Sequence, residues 1–239
     1  MTAVRETWEV LPHGPVTVLD DGILTVTGQI PLPLVELERR MTVVRLADGS
    51  TVIYSAVALD EEAMKEIEAL GPPRYLVVPG DAHRLDARIY KERYPKIHVL
   101  TPPGARERVG KVVHVDATEI DFGDPDVTWQ TIAGAGGHEA ALIVRRASGT
   151  TILVSDLIAN LRRKGGFEGW MLHVMGFGGD KPVVPTVERA LMVESKVQLR
   201  QQFLDWAAIP DLRRIVMSHG KPIEHGAAKA LRDLATTLD

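Results

Sequence analysis

The stretch VVPGDAHRLDAR (residues 77–88) follows an apolar, strand-like run and leads into a predicted helix over residues 85–94. It places Asp81, His83 and Asp86 at the point where a strand would hand over to a helix. Side chains at such a point are either ligands of a metal ion or polar residues of a helix start, because aspartate is favoured at the N-cap and in the first turn. The rest of the chain has to decide between these interpretations.

Three more segments place a His or an Asp just after an apolar run: His138 follows TIAGAGG, Asp156 follows TTILVS, and His219 follows RIVMS. Strand ends hold such residues on a rigid scaffold, and imidazole and carboxylate are ligands of zinc, iron and manganese. The recurrence predicts a metal site. A loop histidine at 138, a helix cap at 156 and a helix-entry residue at 219 are the structural alternatives.

Composition excludes several classes of protein. The 239 residues carry a net charge of -4 without a block of Lys or Arg, which argues against nucleic acid and anionic lipid as partners. The absence of cysteine excludes disulfides, thiolate metal sites and a cysteine nucleophile. The N-terminus lacks the features of a secretory signal, and no apolar run approaches the roughly 18 residues of a membrane span. We expect one cytoplasmic domain over residues 1–239.

The order of predicted elements indicates an α/β (α+β) fold. A first β block contains a hairpin at Asp48-Gly49, and Asp60 then caps a helix. Strands RYLVVP, KIHVLTP and KVVHVDA alternate with a helix and the short basic segment ARERVG, and a second β block holds VTWQTIAG, EAALIVRRASG and TTILVSD. This order predicts two packed sheets with helices outside.

The C-terminal part combines a long loop with helices. Residues 163–185 are rich in glycine and form a candidate lid or substrate loop. A helix is predicted over residues 186–207, followed by the strand RRIVMS, a turn at residues 219–222 and a closing helix that ends at Leu238. The helix over 186–207 is expected to cover a sheet, and a homodimer that uses part of it is an alternative.

The ordered landmarks resemble the metallo-β-lactamase fold superfamily. Its members carry a His-x-His-x-Asp-His motif after a strand, a Gly-His before a later strand, an Asp that ends the next strand, and a last His near the C-terminus. The segments DAHRLD, GGHEAALIV, ILVSD and VMSHG fill these places in a similarity that runs from about Gly22 onward. The resemblance implies a four-layer αββα sandwich of an uncharacterised branch.

The first motif departs from the superfamily pattern. With Asp81 at the first His and His83 at the second, Leu85 replaces the motif Asp and Asp86 replaces the last His. Carboxylates in place of imidazoles favour iron, manganese or magnesium over zinc. If Pro79-Gly80 shifts the turn by one residue, only His83 of this motif faces the site. A site with one metal ion, or with none, is then the alternative.

The resemblance implies one or two divalent metals, zinc or iron and manganese, with the second metal on Asp86, Asp156 and His219. Asp156 would bridge the two metals and serve as the catalytic carboxylate. The implied ligands are Asp81, His83, Asp86, His138, Asp156 and His219.

The function that the resemblance implies is metal-dependent hydrolysis of an ester, amide or phosphodiester bond in a small-molecule substrate. Two alternatives stay open. The altered first motif favours a non-catalytic binding or regulatory module, and carboxylate ligands favour a non-haem iron redox protein, since diiron relatives of the fold also replace histidine by carboxylate.

Overall fold

The computed structural model describes residues 4–31, 36–161, 165–174, 176–177 and 181–238. In this part of the chain, the first sheet has its strands in the same spatial and chain order. They are β1 (Thr17–Asp20), β2 (Ile23–Pro31), β3 (Glu36–Arg45), β4 (Thr51–Tyr54), β5 (Pro73–Val77) and β6 (His98–Leu100). Strands β1 to β4 pair antiparallel, whereas β4, β5 and β6 pair parallel.

The second sheet has the spatial order β11-β9-β8-β7, with β11 parallel to β9 and the other pairs antiparallel. Strands β10 and β12 form a separate, short parallel pair. These strands are β7 (Val127–Thr131), β8 (Ala140–Arg146), β9 (Gly149–Leu153), β10 (Ala159–Asn160), β11 (Leu212–Val216) and β12 (His219–Gly220).

The helices lie mostly where the sequence predicts them. Asp60 caps the first helix, as predicted, because its side chain accepts the N–H of Ala63. The basic segment ARERVG forms a short helix. Among the described residues, no helix is both long and apolar enough to cross a membrane. The helices are α1 (Glu61–Leu70), α2 (Ala87–Arg93), α3 (Arg106–Gly110), α4 (Gly166–Val174), α5 (Thr186–Met192), α6 (Lys196–Ala207) and α7 (Ala227–Thr236).

The central strands are buried on both faces of each sheet, and their side chains alternate between an outer core and the core between the sheets. In β3, Val43 belongs to the same outer core as Met64 of α1, whereas Val44 lies in the core between the sheets. In β8, Leu142 shares the inter-sheet core, and Ile143 packs outward in the core that α6 and α7 fill. The layers run helix, sheet, sheet, helix, so the predicted αββα sandwich is confirmed.

The prediction of a strand over KVVHVDA (residues 111–117) is wrong. Val113 and Val115 are buried and His114 between them is exposed, which produces the alternating pattern of a strand. The segment nevertheless makes no ladder, and Ala117 forms an isolated bridge to the end of β6. Burial of every second residue beside a sheet is therefore not enough to indicate a strand.

The prediction of one continuous helix over residues 186–207 is also wrong, since the segment forms α5 and α6. Between them, the backbone N–H groups of Glu194 and Ser195 donate to the carbonyl of Gly134, at 3.0 and 3.2 Å. The Ser195 hydroxyl accepts the N–H of Gln198 and caps α6. A carbonyl from a distant loop therefore separates the two helices.

The glycine-rich segment of residues 163–185, predicted as a lid or substrate loop, contains helix α4 and residues that approach α5. Residues 163–164, 175 and 178–180 of this segment lie outside the described part of the chain. The predicted turn at residues 219–222 begins with the short strand β12.

Candidate metal centre

His83 lies in a 3₁₀ turn, Asp81–Arg84, between β5 and α2. Its Nδ1 atom is 2.7 Å from the hydroxyl oxygen of Ser55, which directly follows β4. The backbone of Ser55 has a φ of 60°, in the left-handed region that few non-glycine residues adopt. Its N–H donates to the carbonyl of Val77 at 3.0 Å. The ends of β4 and β5 therefore fix the orientation of the His83 imidazole together.

Asp156 lies in the turn after β9, and the buried side chain of Glu139 holds this turn. One carboxylate oxygen of Glu139 accepts the N–H of Ser155 at 2.7 Å. The other accepts the N–H groups of Asp156 and Leu157, at 3.0 and 2.9 Å. Burial and the charge of Asp156 raise the pKa of Glu139 to about 8, although the N–H groups of the turn favour its ionised form. Glu139 thus anchors the backbone that carries Asp156.

His219 begins β12, and its Nδ1 atom lies 2.7 Å from the carbonyl oxygen of Glu38 in β3. A carbonyl only accepts hydrogen bonds, so Nδ1 carries a proton and Nε2 is directed to Asp156. Gly220 follows with a φ of 94°, and a Cβ atom there would lie 2.2 Å from the carbonyl oxygen of Asn160. Glycine is therefore required for β12 to pair with β10 beside His219.

The three side chains converge. The Nε2 atoms of His83 and His219 each lie 3.0 Å from the same oxygen of Asp156, and the three residues are buried. Burial alone would raise the pKa of Asp156, but the two histidines hold it well below its usual range. Burial opposes protonation of His219, yet Asp156 raises its pKa above the ordinary value.

This donor set fits a divalent cation. The potential ligand atoms of His83, Asp156 and His219 all lie within 4.8 Å of one another. Donors around one tetrahedral zinc ion are about 3.3 Å apart, given zinc–nitrogen bonds of about 2.0–2.1 Å. Each imidazole also holds a hydrogen-bond partner on its other nitrogen, as metal-binding histidines do. Small shifts of the donors would therefore admit one ion.

Asp81 and His138 lie outside this cluster. One oxygen of Asp81 is 3.1 Å from Arg108 of α3, and the other is buried without a hydrogen-bond partner in the described part of the chain. His138 is half-buried, and its backbone N–H donates to the carbonyl of Ala135 at 2.8 Å. Neither side chain joins the group of potential ligand atoms formed by the three converging residues.

Asp86 is fully buried, and its carboxylate is engaged elsewhere. One oxygen pairs with Arg39 and accepts the N–H of Ala58 at 3.1 Å, and the other lies 3.3 Å from Nε of Arg5. The structure therefore places Asp86 in an ion pair with β3 and the N-terminal segment, apart from the three converging residues.

Residues that the sequence analysis did not single out surround the cluster. Burial and the charge of Asp156 raise the pKa of Glu188 in α5 to about 7. The ring of Phe177 meets His219 edge-on, with centroids 6.0 Å apart, and packs in an apolar group with Met171 of α4. Phe177 and Glu188 therefore lie beside the buried cluster.

Sequence signals existed for two of the supporting residues. Glu139 is an acid directly before the apolar run AALIV, where an unpaired charge would be costly, and Ser55 ends the apolar run TVIY. For Glu188 no local pattern distinguishes it from other helix-surface acids. Its proximity to the cluster depends on how α5 packs.

No protein-family model matches the sequence, and no curated protein matches it in sequence. Solved structures do match. A metallo-β-lactamase from Erythrobacter litoralis, with β-mercaptoethanol in the active site, is 16% identical over 96% of this chain and 100% of that one, with a TM-score of 0.62. The DIM-1 metallo-β-lactamase exposed to ceftazidime is 12% identical over 97% and 100% of the two chains, with a TM-score of 0.63.

FIM-1 from Pseudomonas aeruginosa, in a mono-zinc form, is 12% identical over 97% of this chain and 98% of its own, with a TM-score of 0.60. At these identities a match establishes the architecture and leaves the reaction open. The matches extend over nearly the full length of both chains and agree with the layer order. The protein therefore has the metallo-β-lactamase fold.

Proposed function

We propose that this protein is a metal-dependent hydrolase in which His83, Asp156 and His219 hold a divalent cation. The convergence of two imidazoles and a carboxylate at strand ends supports the proposal, because these groups meet from three separate parts of the chain. A cation held there would supply Lewis acidity, polarising a substrate oxygen and making water acidic enough to react near neutral pH. Esters, amides and phosphodiesters of small molecules are the proposed substrates.

The protein's own residues would orient the reaction. Asp156 would accept a hydrogen bond from the attacking water as well as hold the cation, and the turn anchored by Glu139 keeps its carboxylate in place. Ser55 and the carbonyl of Glu38 would keep the two imidazoles aligned through their Nδ1 atoms. The apolar group around Phe177 would exclude bulk water, which strengthens electrostatic interactions inside the site.

The experiment compares Asp156→Asn with Asp233→Asn, the same change at an exposed position on α7. Both variants and the wild type are loaded with zinc, manganese or iron(II) and assayed on generic esters, anilides and phosphodiesters. We expect kcat/KM of Asp156→Asn to fall at least about 100-fold, because a ligand carboxylate is lost, and that of Asp233→Asn to stay unchanged. Full activity of Asp156→Asn, or failure of the wild type to retain metal, would contradict the proposal.

A second candidate function rests on the same donor set. Two histidines and one carboxylate are also the ligands of non-haem iron(II) oxygenases. Oxygen consumption by the iron(II)-loaded protein, compared with hydrolysis by the zinc-loaded protein, separates the two. Metal retention with neither activity would favour the non-catalytic binding module.

A further inference from the structure

The carboxylate of Asp86 faces positive groups of the protein itself: one oxygen accepts from Arg39 and from the N–H of Ala58, and the other lies beside Arg5 without a hydrogen-bond partner among the described residues. Arg39 pairs with one of its oxygens and also donates to the carbonyl of Ala56 at 3.4 Å. Arg5 lies 3.3 Å from the other oxygen, and its backbone N–H donates to the carbonyl of Leu85 at 3.0 Å. One buried carboxylate thus faces two guanidinium groups.

Arg39 belongs to the strand segment that also supports a candidate ligand. Its neighbour Glu38 offers the carbonyl that fixes Nδ1 of His219. Its other neighbour, Arg40, donates to the carbonyl of Gly220 at 3.0 Å, directly after His219. Three consecutive residues of β3 therefore hold the Asp86 carboxylate and both residues of β12.

We propose that the site holds a single cation and that the guanidinium of Arg39 is the permanent positive partner of Asp86, in place of a second metal ion. The inference rests on the proposed function, since it concerns the same site. His83, Asp156 and His219 can hold one ion, whereas Asp86 is already paired with Arg39. The resemblance in sequence, by contrast, implies a second ion on Asp86, Asp156 and His219.

Physical chemistry opposes a second ion at Asp86. The Arg39 and Asp86 side chains are 4% and 0% exposed, so a cation entering there would leave a buried guanidinium without its counter-ion. Breaking a buried ion pair from one side is strongly destabilising. Two guanidinium groups on one carboxylate also leave a local positive charge that repels a metal ion. Movement of Arg39 would further disturb the strand that orients His219.

The first experiment measures metal stoichiometry of the wild-type chain, loaded separately with zinc, manganese and iron(II) and freed of loose metal. Elemental analysis is expected to give one ion per chain. Anomalous diffraction is expected to show one metal peak, located between His83, Asp156 and His219. Two ions per chain would overturn the single-cation inference and leave the proposed function standing. No bound ion would overturn both.

The second experiment compares Asp86→Asn with Asp156→Asn, the same carboxylate-to-amide change in two buried residues. Asp86→Asn is expected to bind one ion with a Kd within about threefold of the wild type. Its Tm should fall by about 5–15 °C because the ion pair is lost. Asp156→Asn is expected to bind metal at least about 100-fold more weakly.

Equal loss of metal affinity in both variants would identify Asp86 as a ligand and overturn the inference. If Asp86→Asn does not fold, the stoichiometry and the anomalous peaks of the wild type decide the question alone.

Discussion

Ser55 carries two demands at once, a left-handed backbone and a hydrogen bond to His83. A non-glycine residue in this conformation costs about 1–2 kcal/mol, and such strain tends to persist at functional sites where the surroundings impose it. A glycine would remove the strain but also the hydroxyl. The choice of serine is therefore explained by the partner it supplies to Nδ1 of His83.

Two substitutions separate these demands. Ser55→Ala and Ser55→Gly both remove the hydroxyl, so each should weaken metal binding about 10–100-fold, because the imidazole loses its orienting partner. Ser55→Gly should be the more stable of the two by about 1 kcal/mol, since glycine tolerates the positive φ. Competition titration with a metal chelator and urea unfolding measure the two quantities.

Ser218→Ala is the matched control for both variants. Ser218 is buried beside His219, and its hydroxyl has no hydrogen-bond partner among the described residues. Its removal should leave metal affinity unchanged. An equal loss of affinity in Ser218→Ala would show that any small change near the cluster weakens binding and would remove the special role of Ser55.

At the residue scale, sequence order could predict that His83, Asp156 and His219 follow strands and lie near one another, because each comes within a few residues of the end of an apolar run. Their role as ligands stays a prediction. The pairing of Asp86 with Arg39 could not be predicted, since the two residues are 47 positions apart and no local pattern joins them. Aspartate after a strand looks the same in sequence whether it faces a metal ion or a guanidinium.

At the element scale, Glu139 links two strands of the second sheet. It precedes β8, and its carboxylate receives the backbone N–H groups of the turn that follows β9. The position of Asp156 therefore depends on a side chain from the neighbouring strand as well as on its own. This contact joins the packing of the sheet to the geometry of the candidate metal site.

Glu139→Gln tests this contact. The amide group of Gln has nearly the same size, but its NH₂ must face at least one of the backbone N–H groups that now meet a carboxylate oxygen. We expect the free energy of unfolding to fall by about 1–3 kcal/mol, because at least one buried backbone N–H of the turn loses its acceptor. Metal affinity should fall as well, since the turn that carries Asp156 shifts.

Urea unfolding and metal titration provide the measurements, with Glu119→Gln at an exposed position as the control. Wild-type stability of Glu139→Gln would refute the anchoring role. A loss of stability with unchanged metal affinity would mean that Glu139 stabilises the fold without positioning Asp156 for metal binding.

Elements were predictable where local hydrophobic pattern and tertiary pairing agree. Strand β8 contains the apolar run AALIV, and β9 is buried along its whole length, because both faces of the sheet are covered there. The pattern misleads in residues 111–117, where valines are buried without a ladder. It also misses the break between α5 and α6, because the carbonyl of Gly134 that creates the break comes from another part of the chain.

At the scale of the whole molecule, the two sheets are joined by polar contacts as well as by their shared apolar core. Asp20 at the end of β1 lies 2.7 Å from Arg214 of β11, with side chains that are 11% and 7% exposed. Arg214 also donates to the carbonyl of Leu19 at 3.0 Å, and the hydroxyl of Ser148 donates to Asp20. This ion pair fixes an edge of one sheet to a strand of the other.

The Asp20 contact makes part of the stability dependent on pH. Burial alone would raise the pKa of Asp20, but hydrogen bonds from Ser148 and the N–H of Asp21, with the charge of Arg214, lower it below its usual value. A carboxyl group with a lowered pKa in the folded state stabilises the protein above its unfolded pKa of about 3.9. That contribution is lost as the pH falls through the folded-state value.

Asp20→Asn should therefore be less stable than the wild type by about 1–3 kcal/mol near neutral pH, the range for losing a partly buried charged hydrogen bond. The difference should shrink towards zero as the pH falls through the lowered pKa of Asp20, because the wild type then loses the same charge. Urea unfolding of both proteins from about pH 7 down to about pH 2 measures it. Asp21→Asn, a change at the exposed neighbouring acid, should show little difference at either end. A constant difference across this range would mean that Asp20 stabilises the inter-sheet edge through its shape and neutral hydrogen bonds, without a contribution from its charge.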